Sequence, residues 1–298
     1  MQVAIIGSTN VGKSSLLNRL IQEKNSIVSP RPHTTRTQVL GAVNIDNTQV
    51  VFIDTPGYVK HGANIWAEHF IQAIDDAVQS VDVILLVIDA QKPNATGTAE
   101  LLKRFADNPK TIIALNKVDL RARGRLYPVI RSIADAGYDD IVYLVSSLTK
   151  DGINDLIYAI TQKATDSEWL FEDVNTTKLS KEAYAAECVR EKAFYCLYQE
   201  VPFFIWTVPT NAKFRYDKSG AVSEWRVDVS IIVPKQTHKK IVVGRSGEIV
   251  KRIGIAARTE LESIWGPGQL FLNVVVNSEW MESPEQIKEI CLGIAQGL

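Results

Sequence analysis

A chain of 298 residues with a formal net charge of −1 and 46% hydrophobic residues suits about two domains with sizeable cores, and excludes a disordered tail or a globally basic nucleic-acid binder. Cys188, Cys196 and Cys291 lack C-x-x-C spacing, which excludes a disulfide scaffold or zinc site and points to core thiols in a reducing compartment. No apolar run reaches transmembrane length and the first strand pattern leaves no room for a signal peptide, so a soluble, cytoplasmic protein is expected.

Residues 3–6 read as a buried strand and lead into Gly7-Ser8-Thr9-Asn10-Val11-Gly12-Lys13-Ser14-Ser15, after which residues 16–20 carry a helical pattern. Strand, glycine-bounded loop and helix in that order make a phosphate-binding loop. The glycines let successive backbone N–H groups turn toward phosphate oxygens, and the helix N-terminus adds its positive end. Lys13 is expected to neutralise the β/γ-phosphates and Ser14 to ligate Mg²⁺, with Gly7, Asn10, Val11, Gly12 and Ser15 lining the same cradle.

Pro30-Arg31-Pro32-His33-Thr34-Thr35-Arg36-Thr37 stands where a first switch belongs, and Thr35, ahead of Thr34, is expected to close over the γ-phosphate and Mg²⁺. Strand patterns at 39–43 and 50–54 flank Asn47-Thr48 and predict a hairpin, which sets one strand antiparallel to the rest. The second of them ends in Asp54-Thr55-Pro56-Gly57. Asp54 can hold a water on Mg²⁺ and the Gly57 N–H can sense the γ-phosphate, so the metal set is Ser14, Thr35 and Asp54 and the catalytic set Lys13, Thr35 and Gly57. Ras-type GTPases place a water-orienting glutamine at the next position, which here is Tyr58, so slow intrinsic hydrolysis is expected. Two sources for the missing element stay open. The Asn10 carbonyl, with switch carbonyls, can coordinate K⁺ beside the β/γ-bridge, or an RNA or ribosomal partner can reorder the switch.

Helical patterns at 66–79, 98–105 and 153–160 alternate with strand patterns at 81–88, 111–115 and 141–145, which predicts an α/β sheet, mixed but mostly parallel, with helices on both faces. Asn116-Lys117-Val118-Asp119 follows the strand at 111–115 and selects the base. The Asp119 carboxylate can accept from N1–H and N2 of guanine, a donor pair adenine lacks, while Asn116 reaches toward the phosphate loop and the Lys117 stem covers the ring. Ser146-Ser147-Leu148 occupies the loop behind the base.

The P-loop GTPase domain is thus expected at 1–164, with a linker at 165–178 that opens on an apolar anchor, Trp169-Leu170-Phe171, and a second, α+β domain at 179–298. That domain begins with a helical pattern at 179–198, then strand patterns at 203–208 and 225–231, and later one at 270–276. Between them Gly244-Arg245-Ser246-Gly247 has the Gly-x-x-Gly form by which K-homology (KH) domains clamp a nucleic-acid backbone, in the element order of a type II KH domain. Any basic surface has to be local, and Lys235, Lys239, Lys240, Arg245, Lys251, Arg252 and Arg258 outnumber Glu248, Glu260 and Glu262 there. Lys239, Lys240, Gly244, Arg245, Ser246, Gly247, Lys251 and Arg252 are the expected RNA contacts. His33, His61, His69 and His238 are scattered without a ligand pattern and the six tryptophans read as core and interface packing.

The phosphate loop with Asn10, the string Ser29-Pro30-Arg31-Pro32-His33-Thr34-Thr35-Arg36, Asp54-Thr55-Pro56-Gly57, Asn116-Lys117-Val118-Asp119, and the later Arg190-Glu191-Lys192 and Val243-Gly244-Arg245-Ser246-Gly247 together closely resemble the Era family of bacterial GTPases over nearly the whole chain. The resemblance implies a GTP/GDP- and Mg²⁺-binding hydrolase that binds the 3′ end of 16S ribosomal RNA, acts in assembly of the small (30S) subunit as a monomer, and contacts the inner membrane peripherally. The family usually has glutamine at His33, alanine at Ser147, and a few residues ahead of the first strand; these departures touch no phosphate, Mg²⁺ or base contact. Two other readings remain. One is an RNA-binding assembly factor that uses GTP only as a conformational ligand; the other is a tRNA-modification-type GTPase, which should carry a folate-site domain ahead of the GTPase.

Overall fold

The computed structural model describes residues 1–29, 34–36, 38–60, 62, 66–95, 97–106, 108–138, 142–165, 167–174, 179–198 and 201–280. Residues 30–33, Thr37, His61, Ile141, residues 175–177 and Cys291, all named above, lie outside them. Two compact units result, one of Met1–Lys178 and one beginning at Leu179.

In the first unit, β1 (Gln2–Ile6), β4 (Val83–Asp89) and β5 (Thr111–Asn116) are apolar at nearly every position and buried on both faces, as a parallel sheet sandwiched by helices requires. With β2 (Val39–Ile45), β3 (Thr48–Asp54) and β6 (Val142–Leu144) they form a sheet of order β2-β3-β1-β4-β5-β6, in which only β2 runs antiparallel. The period of two splits each strand between two cores: Ala4 and Ile6 face one, Val3 and Ile5 the other. On the first side Ile71, Ile74 and Ala77 recur at helical spacing on α2 (Ala67–Ser80), beside α3 (Thr98–Phe105) and α4 (Tyr127–Ala134). Leu16, Leu17 and Leu20 of α1 (Lys13–Leu20) and Leu156 and Ile160 of α5 (Ile153–Thr161) fill the other.

The order places β1 between β3 and β4, so the chain leaves β1 at the point where the sheet's winding reverses. Loops at the carboxyl ends of β1, β3, β4 and β5 therefore share one edge, the edge where open α/β sheets bind ligands. The hairpin turn lies one residue earlier than its composition suggested. Ile45 pairs with Thr48, so Asp46 and Asn47 make the turn, with Asp46 at φ 49°, a region short polar side chains tolerate.

The segment after α5 is held by hydrogen bonds more than by apolar burial. Trp169 and Leu170, expected as an anchor, are each 51% exposed. Buried Gln49 of β3 instead clamps the Phe171 backbone, accepting from its N–H at 3.0 Å and donating to its C=O at 2.8 Å. Losing both bonds costs about 1–2 kcal/mol of local stability, so Gln49→Ala should speed chymotryptic cleavage around Trp169–Phe171 by about tenfold. An unchanged cleavage rate would show that the clamp is incidental.

In the second unit α6 (Lys181–Cys196) starts where the Ser180 side chain accepts from the Ala183 N–H at 3.2 Å, an N-cap. Tyr195 and Tyr198 at its carboxyl end are exposed. The strand expected from residue 203 begins later: Pro202 fixes φ and removes a donor, Val201–Phe204 form a 3₁₀ turn, and β7 runs over Trp206–Tyr216. It pairs antiparallel with β8 (Val222–Val233), which pairs in parallel with β9 (Gly268–Val276). Helices α6, α7 (Gln236–Val243) and α8 (Glu248–Trp265) give Val189, Phe194, Val242, Ile253, Ala257 and Leu261 to a core with Trp225, Val227 and Ile231. Cys188 and Cys196 are buried thiols outside any disulfide, as expected of core fillers.

Candidate functional site

At the end of β1 the loop turns through Asn10 (φ 61°) and Gly12 (φ 97°) into α1. A Cβ on Gly12 would collide with Asn116 Nδ2, so both the conformation and the close approach demand glycine. The first intrahelical bond is Leu16 N–H to Gly12 O at 2.8 Å, which leaves the Lys13, Ser14 and Ser15 amides ahead of it at the helix's positive end. The loop and its helix thus form a cradle for an anion.

The Lys13 ammonium is buried, and donates to the carbonyls of Gly7 (3.1 Å) and Ser8 (3.0 Å). Burial lowers its pKa to about 8, with the Asp54 charge pulling the other way. Asp54 is the converse case: burial raises its pKa, opposed by Lys13 and by bonds from Ser14 and Ser26. Its Oδ2 accepts from Ser14 Oγ at 2.6 Å and Ser26 Oγ at 3.1 Å, and Ser14 Oγ lies 2.7 Å from Thr35 Oγ1. Asp54 Oδ1 is buried and has no partner among the described residues. Burial disfavours both charges, and the oxygen-bearing side chains of Ser14, Thr35 and Asp54 converge there. A Mg²⁺ triphosphate fits that deficit, supplying anion to Lys13 and cation to Ser14, Thr35 and Asp54. When bound, the metal would neutralise charge developing on the phosphates. Thr34, the alternative switch residue, bonds Ser29 instead.

Gly57 packs against Thr9 of the phosphate loop, and the next N–H, of Tyr58, donates to Gly7 O at 3.0 Å. The Tyr58 ring lies against Gly97, and its hydroxyl donates to Glu100 Oε2 at 3.0 Å. Burial pushes its pKa up, with Glu100 adding to the rise, so the phenol stays a donor aimed at α3. Tyr58 does not take the place of a water-orienting glutamine.

Two side chains from the end of β5 reach back over the phosphate loop. Asn116 Nδ2 donates to Val11 O at 3.0 Å, and Lys117 Nζ donates to Asn10 O at 2.6 Å. Asn116 Oδ1 accepts from both the Ser147 N–H (3.1 Å) and the Ser147 hydroxyl (3.0 Å), so the serine at this position adds a donor that an alanine lacks. Asp119 is exposed and its Oδ1 accepts from Ser146 Oγ at 2.6 Å, while the Leu148 N–H donates to that hydroxyl. Arg19 of α1 holds the carbonyls of Ser147 and Leu148. Arg19, Ser26 and Asp89 escaped the sequence reading. Asp89 alone carried a signal, a carboxylate at the carboxyl end of a buried strand.

In the second unit α7 ends at Gly244, α8 begins at Glu248, and Gly244-Arg245-Ser246-Gly247 bridges them. Gly244 sits at φ 76°, where a Cβ would fall 2.7 Å from Ile249 Cγ1. Ser246 and Gly247 also have positive φ, and Arg245 and Ser246 point into solvent, as do Lys240, Lys251 and Arg252; Lys239 is half-buried. The nearby carboxylates are engaged elsewhere: Glu260 pairs with Lys192 and Glu262 with Arg258. Glu248 remains, in the first turn of α8, where the helix dipole favours it. Among the described residues, Lys240, Arg245, Lys251 and Arg252 make no ion pair.

A phosphate cradle, a base-selecting loop and a switch carboxylate on one edge of an α/β sheet define a P-loop GTPase, here joined to a KH fold. Residues 2–117 match the family described as 50S ribosome-binding GTPase, and residues 208–286 match the KH domain family. GTPase Era of Geotalea uraniireducens is 35% identical over 291 residues, covering 96% of this chain and 95% of the relative. GTPase Era of Sinorhizobium medicae is 34% identical over 293 residues, covering 97% and 92%. Among solved structures, an Aquifex aeolicus Era variant bound to GDP and AlF₄⁻ is 32% identical with a TM-score of 0.86, and covers 97% of each chain. An Era complex with MgGDPNP and nucleotides 1506–1542 of 16S ribosomal RNA is 32% identical, with a TM-score of 0.85 and the same coverage. The chain belongs to the Era family and is a GTPase.

Proposed function

We propose that this chain is a GTP-driven switch whose second unit holds the 3′ end of 16S ribosomal RNA during assembly of the small (30S) ribosomal subunit. The observation that carries the reading is the exposed Gly244–Gly247 loop, an open backbone whose neighbouring Lys240, Arg245, Lys251 and Arg252 make no ion pair among the described residues, on the same chain as the Ser14, Thr35 and Asp54 oxygen cluster. A relative's complex with that RNA supports the choice of target. In this reading residues 1–164 are the GTPase domain, 165–178 a linker and 179–298 the KH domain. Lys13, Thr35 and Gly57 act on the γ-phosphate, Ser14, Thr35 and Asp54 hold Mg²⁺, and Asn116, Lys117, Asp119 and residues 146–148 hold guanine. The protein works as a cytoplasmic monomer. Contact with the inner membrane rests on the family resemblance alone, and among the described residues no helix is long and apolar enough to cross a membrane.

Because Tyr58 is committed to Glu100, activation comes from elsewhere, and Asn10 at the rim of the cradle suits a K⁺ ion beside the β/γ-bridge. Single-turnover hydrolysis in K⁺ should exceed that in Na⁺ by about tenfold, with little change in GTP affinity. A 16S 3′-end oligonucleotide should bind and raise the rate further. Equal rates in both salts would remove K⁺, and an oligonucleotide that neither binds nor alters the rate would remove the RNA coupling. RNA that binds without altering the rate would favour an assembly factor using GTP as a conformational ligand.

A further inference from the structure

Asp89 ends β4 directly opposite Asn116 in the β4–β5 register, so it sits beside the base-selecting loop without belonging to it. Its side chain is 8% exposed and lies 2.7 Å from Lys117 Nζ through Oδ2. The other oxygen accepts from the Gln91 N–H at 2.8 Å, which fixes the carboxylate's rotation and aims Oδ2 at the lysine. Lys117 itself stands at φ 65°, a left-handed backbone unfavourable for a residue with a side chain. Its stem crosses the phosphate loop, with Cε 3.7 Å from where a Cβ on Gly12 would stand, and its Nζ also reaches Asn10 O. A lysine stem has large rotamer freedom, and only a partner at its far end holds it flat.

We infer that Asp89 is a positioning residue for guanine-nucleotide binding: it tethers the Lys117 ammonium so that the stem lies across the phosphate loop as one wall of the base site. The inference rests on the reading of Asn116–Asp119 as the base loop. In this reading Asp89 acts through Lys117, the residue its carboxylate holds. The buried carboxylate and partly buried ammonium depend on each other. Removing Asp89 leaves Nζ one neutral anchor, the Asn10 carbonyl, in place of two, and the stem and the base site loosen.

A double-mutant cycle on the full chain tests this, with equilibrium binding of N-methylanthraniloyl-GDP in Mg²⁺ as the readout. Asp89→Ala and Lys117→Ala should each weaken binding by about ten- to thirtyfold, chiefly through faster dissociation. The double variant should bind no more than about threefold more weakly than Lys117→Ala, because a tether without its lysine has nothing to hold. If Lys117→Ala binds like the parent chain, the base-loop reading itself fails. If Lys117→Ala is impaired but Asp89→Ala is not, or if the two losses multiply in full, the tether is wrong and Asp89 serves the fold alone. Should Asp89→Ala fail to fold, the isosteric Asp89→Asn takes its place, with the same outcomes deciding the matter.

Discussion

Asp119→Asn is expected to weaken GTP binding by at least about a hundredfold, since two hydrogen bonds to a charged acceptor are lost, and to move preference to xanthosine triphosphate. Ser146 determines why the switch should be clean. Its hydroxyl accepts from the N–H groups of Leu148 (3.2 Å) and Thr149 (3.0 Å), so its single proton is directed at Asp119 Oδ1. An asparagine keeping its carbonyl on that hydroxyl turns its NH₂ toward the base edge. The amide then repels the N2 amino group of guanine and donates to the C2 carbonyl of xanthine. Competition of GTP and XTP against a fluorescent nucleotide measures both effects. Tight GTP binding retained by the variant would exclude this loop as the base site.

Much of the nucleotide site was legible because its parts are local in sequence. A loop of glycines between a buried strand and a helix dictates its own backbone, and Gly12 and Lys13 follow from that geometry. Strand and helix types were legible for the same reason, from runs of apolar residues with period two or with helical spacing. The groups that tune the site were hidden. Asp89 and Lys117 are 28 residues apart, as are Ser26 and Asp54, and only the sheet register and the loop's return bring them together. Gln49 and Phe171 are 122 residues apart, and a glutamine at the start of a strand advertises nothing. Around residue 203 local chemistry misled in the other direction: an aromatic, β-branched run suggested a strand, but Pro202 turned it into a 3₁₀ segment first. Charge counting near Gly244–Gly247 could not see that Glu260 and Glu262 pair with Lys192 and Arg258 within the fold.

Placing aspartates at both Arg245 and Ser246 should reduce affinity for a single-stranded 16S 3′-end oligonucleotide by about a hundredfold or more, by removing one cation and adding two carboxylates against the RNA backbone. The positions are chosen because both side chains are exposed, so the substitutions perturb the interface and not the core. Gly244 is the wrong residue to change: any side chain there meets Ile249, and a loss of binding would report misfolding. Ser246 holds a positive φ that aspartate tolerates better than most residues, which keeps the loop's shape through the substitution. GTP binding by the same variant should match the parent chain, since every nucleotide contact argued above lies in Met1–Lys178. The parent chain's RNA affinity should fall with rising salt, and the double variant should show a shallower slope for want of phosphate contacts. Base preference should persist at moderate salt, because bases are read by hydrogen bonds and stacking and not by net charge. A double variant that binds the oligonucleotide like the parent would reduce Gly244–Gly247 to an ordinary turn, and RNA recognition by this loop would fall with it.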